Sequence, residues 1–394
     1  MGHPHIKTPN LDRLAAESLT FRRGYVPASL CCPSLASILT GQYPHQHKVT
    51  SNDPPMPRGM TRRQAYKTPE VQAGRDRMNQ FIAETDTLPK LLAQCGYLTF
   101  QTGKWWQGNF RLGGFTHGMT DGDPNKGGRH GDAGLEIGRK TMQPIYDFIE
   151  MAQDQKKPFM VWYAPMLPHT PHNPPDRLLE KYLDKAPSPH VAKYWAMVEW
   201  FDEGCGELLN YLDREGLAEN TIVAYVSDNG WIQSLDNPRY APRSKQSQYD
   251  GGLRSPIMLR WPAKVKAQDS PELATSIDFL PTLVKAAGGT VPKGLPGIDL
   301  FDKKAVAKRN ALYGACFTHD AVNLDRPEES TRWRWTIEGD WKLILPDAVN
   351  EPNEVVELYN LKKDPFENIN LAAKEKRRVA ALTRKINDWW PGRQ

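Results

Sequence analysis

The chain has 394 residues, a length that suits one large domain plus a smaller one. Its 39% hydrophobic and 25% charged residues describe an ordinary globular protein. The net charge of +5 is mild and comes without a dense basic run interleaved with aromatics, which argues against nucleic acid and leaves a small anionic substrate open. Five scattered cysteines (Cys31, Cys32, Cys95, Cys205 and Cys316) form no disulfide framework. No stretch reaches the length of a membrane span, and the opening Met-Gly-His-Pro-His carries no apolar signal region.

In chain order, "TPNLDRLAAES" predicts a helix with Thr8 as N-cap and Pro9 at the first helical position. A second helix follows the double cysteine, started by Pro33 and closed by Gly41. Residues 48–86 are polar and rich in Pro, Arg and Gln, and read as a long irregular excursion around a site. "TLPKLLAQCG" is a helix ended by Gly96, followed by the strand "YLTFQT". "PFMVWYA" is a second apolar strand, "TIVAYVS" a third and "PIMLRW" a fourth. Between them lies a long amphipathic helix with Val191, Tyr194, Val198, Phe201, Cys205, Leu208 and Leu212 on one stripe. Apolar strands alternating with helices predict an α/β fold with a mostly parallel, doubly wound sheet over residues 1–302. Over 303–394 the pattern changes to a hairpin turning at 338–340, a further strand and a terminal helix, a small antiparallel α+β subdomain.

Ligands of open parallel sheets bind beyond the carboxyl ends of the strands. Three predicted strands deliver unusual polar residues there: Lys104, then His169 and His172, then Asp228-Asn229-Gly230. Lys245 lies in "RSKQSQYDGG", ahead of the fourth strand. Taken singly, these residues fit a turn or a solvated surface. Cys31, just before a helix, would feel the helix dipole and free N–H groups that favour an anion.

These segments together resemble the sulfatase family of the alkaline-phosphatase-like superfamily. "CCPSLASILTGQYPHQH" is similar to its C-x-P-S-R-A-S-x-L-T-G signature, and "GYLTFQTGKWW" to its G-K-W-H segment. "LPHTPHNPP", "NTIVAYVSDNG", "KQSQYDGGLRSPIMLRWP" and "ELYNLKKDPFENINLA" have counterparts as well, so the resemblance covers most of the chain. It implies hydrolysis of a carbohydrate or aryl sulfate ester. Cys31 is the position that a modifying enzyme oxidises to formylglycine, the nucleophile. Asp228 and Asn229 match ligands of a divalent cation, usually Ca2+. Lys104 and Lys245 match sulfate-binding lysines, His169 a histidine near the leaving oxygen, and His172 and Trp106 fall in substrate-binding segments. Two other readings stay open: an impaired homologue that binds anionic glycans or a partner, and a metal-dependent phosphoesterase or phosphonate hydrolase. Leu35 stands in place of the signature arginine, and Trp106 in place of a histidine. The resemblance also implies paired metal-binding aspartates at the end of a strand upstream of "GHPHIKTPN". The expectation is a longer natural protein, periplasmic or secreted, and poor solubility of the chain without that strand.

Overall fold

The computed structural model describes residues 2–122 and 130–393. Eleven strands run in chain order: β1 (Leu19–Tyr25), β2 (Leu98–Gly103), β3 (His117–Gly118), β4 (Phe159–Ala164), β5 (Val223–Tyr225), β6 (Ile257–Arg260), β7 (Gln268–Thr275), β8 (Ala311–Phe317), β9 (Thr331–Glu338), β10 (Trp341–Pro346) and β11 (Glu357–Asn360). They form three sheets, ordered β3-β2-β4, β5-β6-β1-β7 and β11-β10-β9-β8. The first is parallel and the last antiparallel. The fold class is therefore α/β with a separate small antiparallel sheet.

The large sheet departs from the expected continuous parallel one in two ways. β6 runs antiparallel to both β1 and β5, and only β7 lies parallel to β1. The sheet is also in two pieces: among the described residues β4 pairs only with β2, and β5 only with β6. Their side chains stay partly open, with Phe159, Met160, Val161, Tyr163, Val223 and Tyr225 half-buried and Ala224 exposed. Apolar runs of this kind are normally covered on both faces and both edges.

The helix Cys31–Thr40 is buried at all ten positions and ends at Gly41 in the left-handed region, as its sequence predicts. It begins at Cys31, two residues ahead of Pro33. Leu35 packs into the main apolar cluster with Phe21, Leu39, Ile82 and Trp162. The excursion over 48–86 contains a regular helix, Pro69–Ala83. Its inward residues Val71, Met78, Phe81 and Ile82 are too sparse to show a stripe in sequence. Thr8 is the N-cap of Pro9–Ala16, but the first free N–H groups of that helix are met from elsewhere. Asp202, buried on the long helix Pro189–Arg214, accepts from Asn10 N–H at 3.1 Å and Leu11 N–H at 2.7 Å.

The antiparallel sheet is tied to the larger unit by a buried charge network. Lys342 on β10 donates to Asp250 at 2.8 Å and to Glu367 at 2.7 Å, and Tyr25 on β1 donates to the other Asp250 oxygen at 2.9 Å. Asp250 opens the short helix that follows Lys245.

Candidate active site

The site assembles on the N-terminus of the Cys31–Thr40 helix. Leu30 precedes it in extended conformation without a side-chain cap, so the positive end of the helix faces the site. The Cys32 N–H donates to Asn52 Oδ1 at 3.0 Å.

Lys104 is placed by the end of β2. Gly103 has φ +71°, and a Cβ there would lie 1.9 Å from the Ala164 carbonyl oxygen, so only glycine fits. This close approach lets Lys104 N–H donate to Ala164 O at 2.6 Å. The Lys104 ammonium then reaches Asp228 Oδ2 at 2.9 Å and Cys31 Sγ at 3.6 Å. Lys245 Nζ lies 2.9 Å from Cys31 Sγ and 3.3 Å from His169 Nε2. Asn229 Oδ1 makes the third approach to the sulfur, accepting from the Cys31 thiol at 3.4 Å. A Cβ on Gly230 would meet the Gly251 carbonyl oxygen at 2.1 Å, so the Asp-Asn-Gly turn is also a close-packed joint.

The electrostatics follow from this crowding. Burial alone would raise the Asp228 carboxyl, but Lys104 and Lys245 overrule it and hold it down at about 2. Burial would lower Lys104, yet Asp228 and Cys31 keep its ammonium above the ordinary lysine value. His169 is driven down to about 2 by burial, then by Lys104 and Lys245. It is therefore neutral, with Nδ1–H donating to the Thr170 carbonyl at 2.9 Å and Nε2 accepting from Lys245. A pocket with two ammonium groups, a neutral imidazole and a helix N-terminus around one sulfur is built for an anion with several oxygens.

Seven of the eight site residues named from sequence fall in this region. Cys31, Lys104, His169, Lys245, Asp228 and Asn229 converge. His172 stands one layer out, its ring 5.8 Å from Trp231 and 5.5 Å from Tyr194. Trp106 is the eighth: it is buried in the main apolar cluster, with its ring edge-on to His130 at 4.6 Å. Sequence reasoning missed Asn52, which sits inside the polar excursion with no motif to mark it. It also missed Trp231, although a tryptophan directly after the sheet-edge turn is a visible signal.

As ligands for a hard cation, Asp228 and Asn229 offer two half-buried oxygen donors facing Cys31, chemistry that suits Ca2+ while filling only part of its 6–8 positions. A second cluster, Asp53, His319 and Asp320, brings its ligand atoms within 4.8 Å of one another. Its carboxylates are already matched: Arg62 reaches Asp53 at 3.1 Å and Asp320 at 2.9 Å, and Arg75 reaches Asp53 at 2.5 Å. Two guanidiniums in place make it an ion-pair network rather than a cation cradle.

Both lysines sit in loops at the sheet edge, where truncation would ordinarily cost little. Their burial changes that expectation, since each is only 7% exposed. Lys104→Ala strips the direct partner from a half-buried carboxylate and is expected to cost about 1–3 kcal/mol. Lys245→Ala leaves no carboxylate without its direct partner and is expected to cost less, about 0.5–1 kcal/mol. Urea melts of the two variants side by side check the contrast. Equal losses would mean that Lys104 is not the essential partner of Asp228.

Residues 1–289 match the model of the Sulfatase family, and residues 243–389 match that of the N-sulphoglucosamine sulphohydrolase C-terminal region. The chain is 26% identical to N-acetylgalactosamine-6-sulfatase of Mus musculus, over 97% of its own length and 81% of that protein. It is 25% identical to N-acetylglucosamine-6-O-sulfatase of Bacteroides thetaiotaomicron, over 94% and 79% of the two chains. Among solved structures it resembles one of a protein in complex with its substrate D-glucosamine-2-N,6-O-disulfate (TM-score 0.72, 22% identity, 98% of this chain and 94% of that one). It also resembles the phosphonate monoester hydrolase of Agrobacterium radiobacter (TM-score 0.68, 16% identity, 98% and 91% covered). With the family model spanning most of the chain and the signature cysteine at the centre of the cationic pocket, the chain belongs to the sulfatase family of sulfuric ester hydrolases.

Proposed function

We propose that this protein hydrolyses a sulfate ester on a carbohydrate, with Cys31, oxidised to formylglycine by a modifying enzyme, as the nucleophilic position. The observation that carries the reading is the convergence of Lys245 Nζ and Lys104 Nζ on Cys31 Sγ, at 2.9 and 3.6 Å. Two fixed ammonium groups there would hold the sulfate oxygens and offset the charge that develops as the S–O bond breaks. His169 Nε2 accepts from Lys245 and so orients the ammonium that can pass a proton toward the leaving oxygen. Asp228 and Asn229 would hold a divalent cation, the remaining ligands coming from water or from groups outside the described residues. When bound, that ion supplies Lewis-acid stabilisation of the sulfate oxygens. Sugar-sulfate activities in the names of the relatives support the substrate class.

The test is sulfate release from sulfated hexosamines by the full chain, produced together with a formylglycine-generating enzyme, with mass analysis of the Cys31 peptide. Asp228→Ala is expected to lower bound metal and sulfate release together. Unchanged metal content alongside lost activity would remove Asp228 from the ligand set. Cleavage of a phosphonate ester without any sulfate release would move the protein to phosphonate chemistry.

A further inference from the structure

The segment 231–240 leaves the Asp-Asn-Gly turn and returns to the Lys245 loop. It is locked by one buried side chain. The two N–H groups of Gln233 Nε2 are shared among the carbonyls of Ser234, Asn237 and Arg239, at 3.1, 2.7 and 2.9 Å, while its Oε1 accepts the Trp231 indole N–H at 3.1 Å. Backbone bonds close the same loop, Ser234 N–H to Arg239 O at 3.0 Å and Ala241 N–H to Ile232 O at 2.7 Å. A loop held this firmly has a fixed shape before any ligand arrives.

Two aromatic rings stand on it next to the chemistry. Trp231 lies with Lys245 Nζ 5.6 Å from its ring centre and His169 at 5.8 Å; Lys245 touches Cys31, and His169 touches Lys245. Tyr240 meets Trp231 at 5.3 Å and 71°. Both rings are only half-buried. The rim is charged: Lys245 stands at the Trp231 ring, and the exposed Arg239 precedes Tyr240 in the loop. An aromatic face with a polar, cationic rim matches a pyranose ring, which has an apolar C–H face and a hydroxyl edge. A planar aryl group would call for an enclosed apolar slot instead.

We propose that the 231–240 loop is the subsite for the sugar ring that bears the sulfate, with Tyr240 and Trp231 as its stacking contacts. The assignment rests on the sulfatase reading above and adds to it the residues that distinguish a sugar sulfate from sulfate alone. Stacking of this kind is worth about tenfold in affinity.

The test is calorimetric titration of the full chain with Cys31 left as cysteine, using inorganic sulfate, a 6-sulfated N-acetylhexosamine and 4-nitrophenyl sulfate. The wild type is expected to bind the sugar sulfate about tenfold more tightly than inorganic sulfate. Tyr240→Ala should erase that advantage and leave the affinity for inorganic sulfate unchanged, while Tyr240→Phe keeps it. Trp231→Leu provides a second variant, and thermal melts confirm that each is folded. An unchanged sugar advantage in both Tyr240→Ala and Trp231→Leu overturns the subsite while leaving the sulfatase reading standing. Parallel loss of inorganic sulfate and sugar sulfate gives the loop a purely structural role and also overturns it. Tighter binding of 4-nitrophenyl sulfate overturns the pyranose assignment. A wild type that binds none of the three brings down the sulfatase reading, and the subsite with it.

Discussion

Stability is expected to fall by about 6 kcal/mol between pH 7 and pH 5, driven by histidines held neutral in the fold. His47 is wholly buried beside Ser37 and is pushed down to about 3 by burial, with His45 adding to the effect. His169 is held at about 2 by burial and the two site lysines. His45, stacked on Trp390 at 4.4 Å, and His172 are each lowered to about 4, chiefly by burial. The sign is that of groups whose folded value is depressed. In the unfolded chain they take up protons near pH 6.5, while in the fold they do not until far lower. Their contribution is complete above about pH 6.5 and is lost as pH falls toward the folded values. At pH 5 the buried His47 and the strongly depressed His169 each cost about 2 kcal/mol, and the two with more solvent contact about half that. Guanidinium melts at pH 7, 6 and 5 measure the slope, and His47→Gln should remove one proton from it. A melting midpoint that does not change over this range would refute the assignment.

Lys342→Met is expected to cost about 3–5 kcal/mol, because it leaves the Asp250 and Glu367 carboxylates buried without their shared cation. Lys342 is fully buried, and although burial opposes its charge, the two carboxylates hold its ammonium above the ordinary value. The triple variant Lys342→Met, Asp250→Asn, Glu367→Gln should recover much of the loss, since the penalty comes from unpaired charge rather than missing volume. A second consequence separates this network from ordinary packing. Asp250 lies five residues after Lys245, so the single variant should lower turnover at temperatures where it is still fully folded. Full turnover in the folded single variant would show that the Lys245 segment holds its shape unaided.

The sequence made legible what is local and periodic. The strands at 98–103 and 159–164, the 331–346 hairpin and the terminal helix follow from apolar runs and turn residues. The site was legible for a related reason: residues at strand ends are brought together by topology, so a strand reading places Lys104, His169 and Asp228 on one edge. β1, β7 and β8 were not legible. Their apolar residues are interrupted by arginine, aspartate or glycine, and the pairing of β1 with β6 and β7 is fixed by contacts more than 200 residues away. The antiparallel course of β6 has the same origin. The Asp202 cap on the first helix and the Gln233 lock on the 231–240 loop are side chains acting at a distance or within an irregular loop, and no spacing rule finds them.

The interrupted sheet has a consequence for how this molecule meets others. Among the described residues β4 and β5 each keep one side without a strand partner, leaving main-chain donors and acceptors beside half-covered apolar side chains. Backbone pairing is largely indifferent to the identity of the added strand, so any extended apolar segment of four to six residues is a match for either side. Side chains of the two strands meet in shared apolar clusters, Val161, Tyr163 and Val223 among them, so a strand accepted at one side would be packed against the other as well.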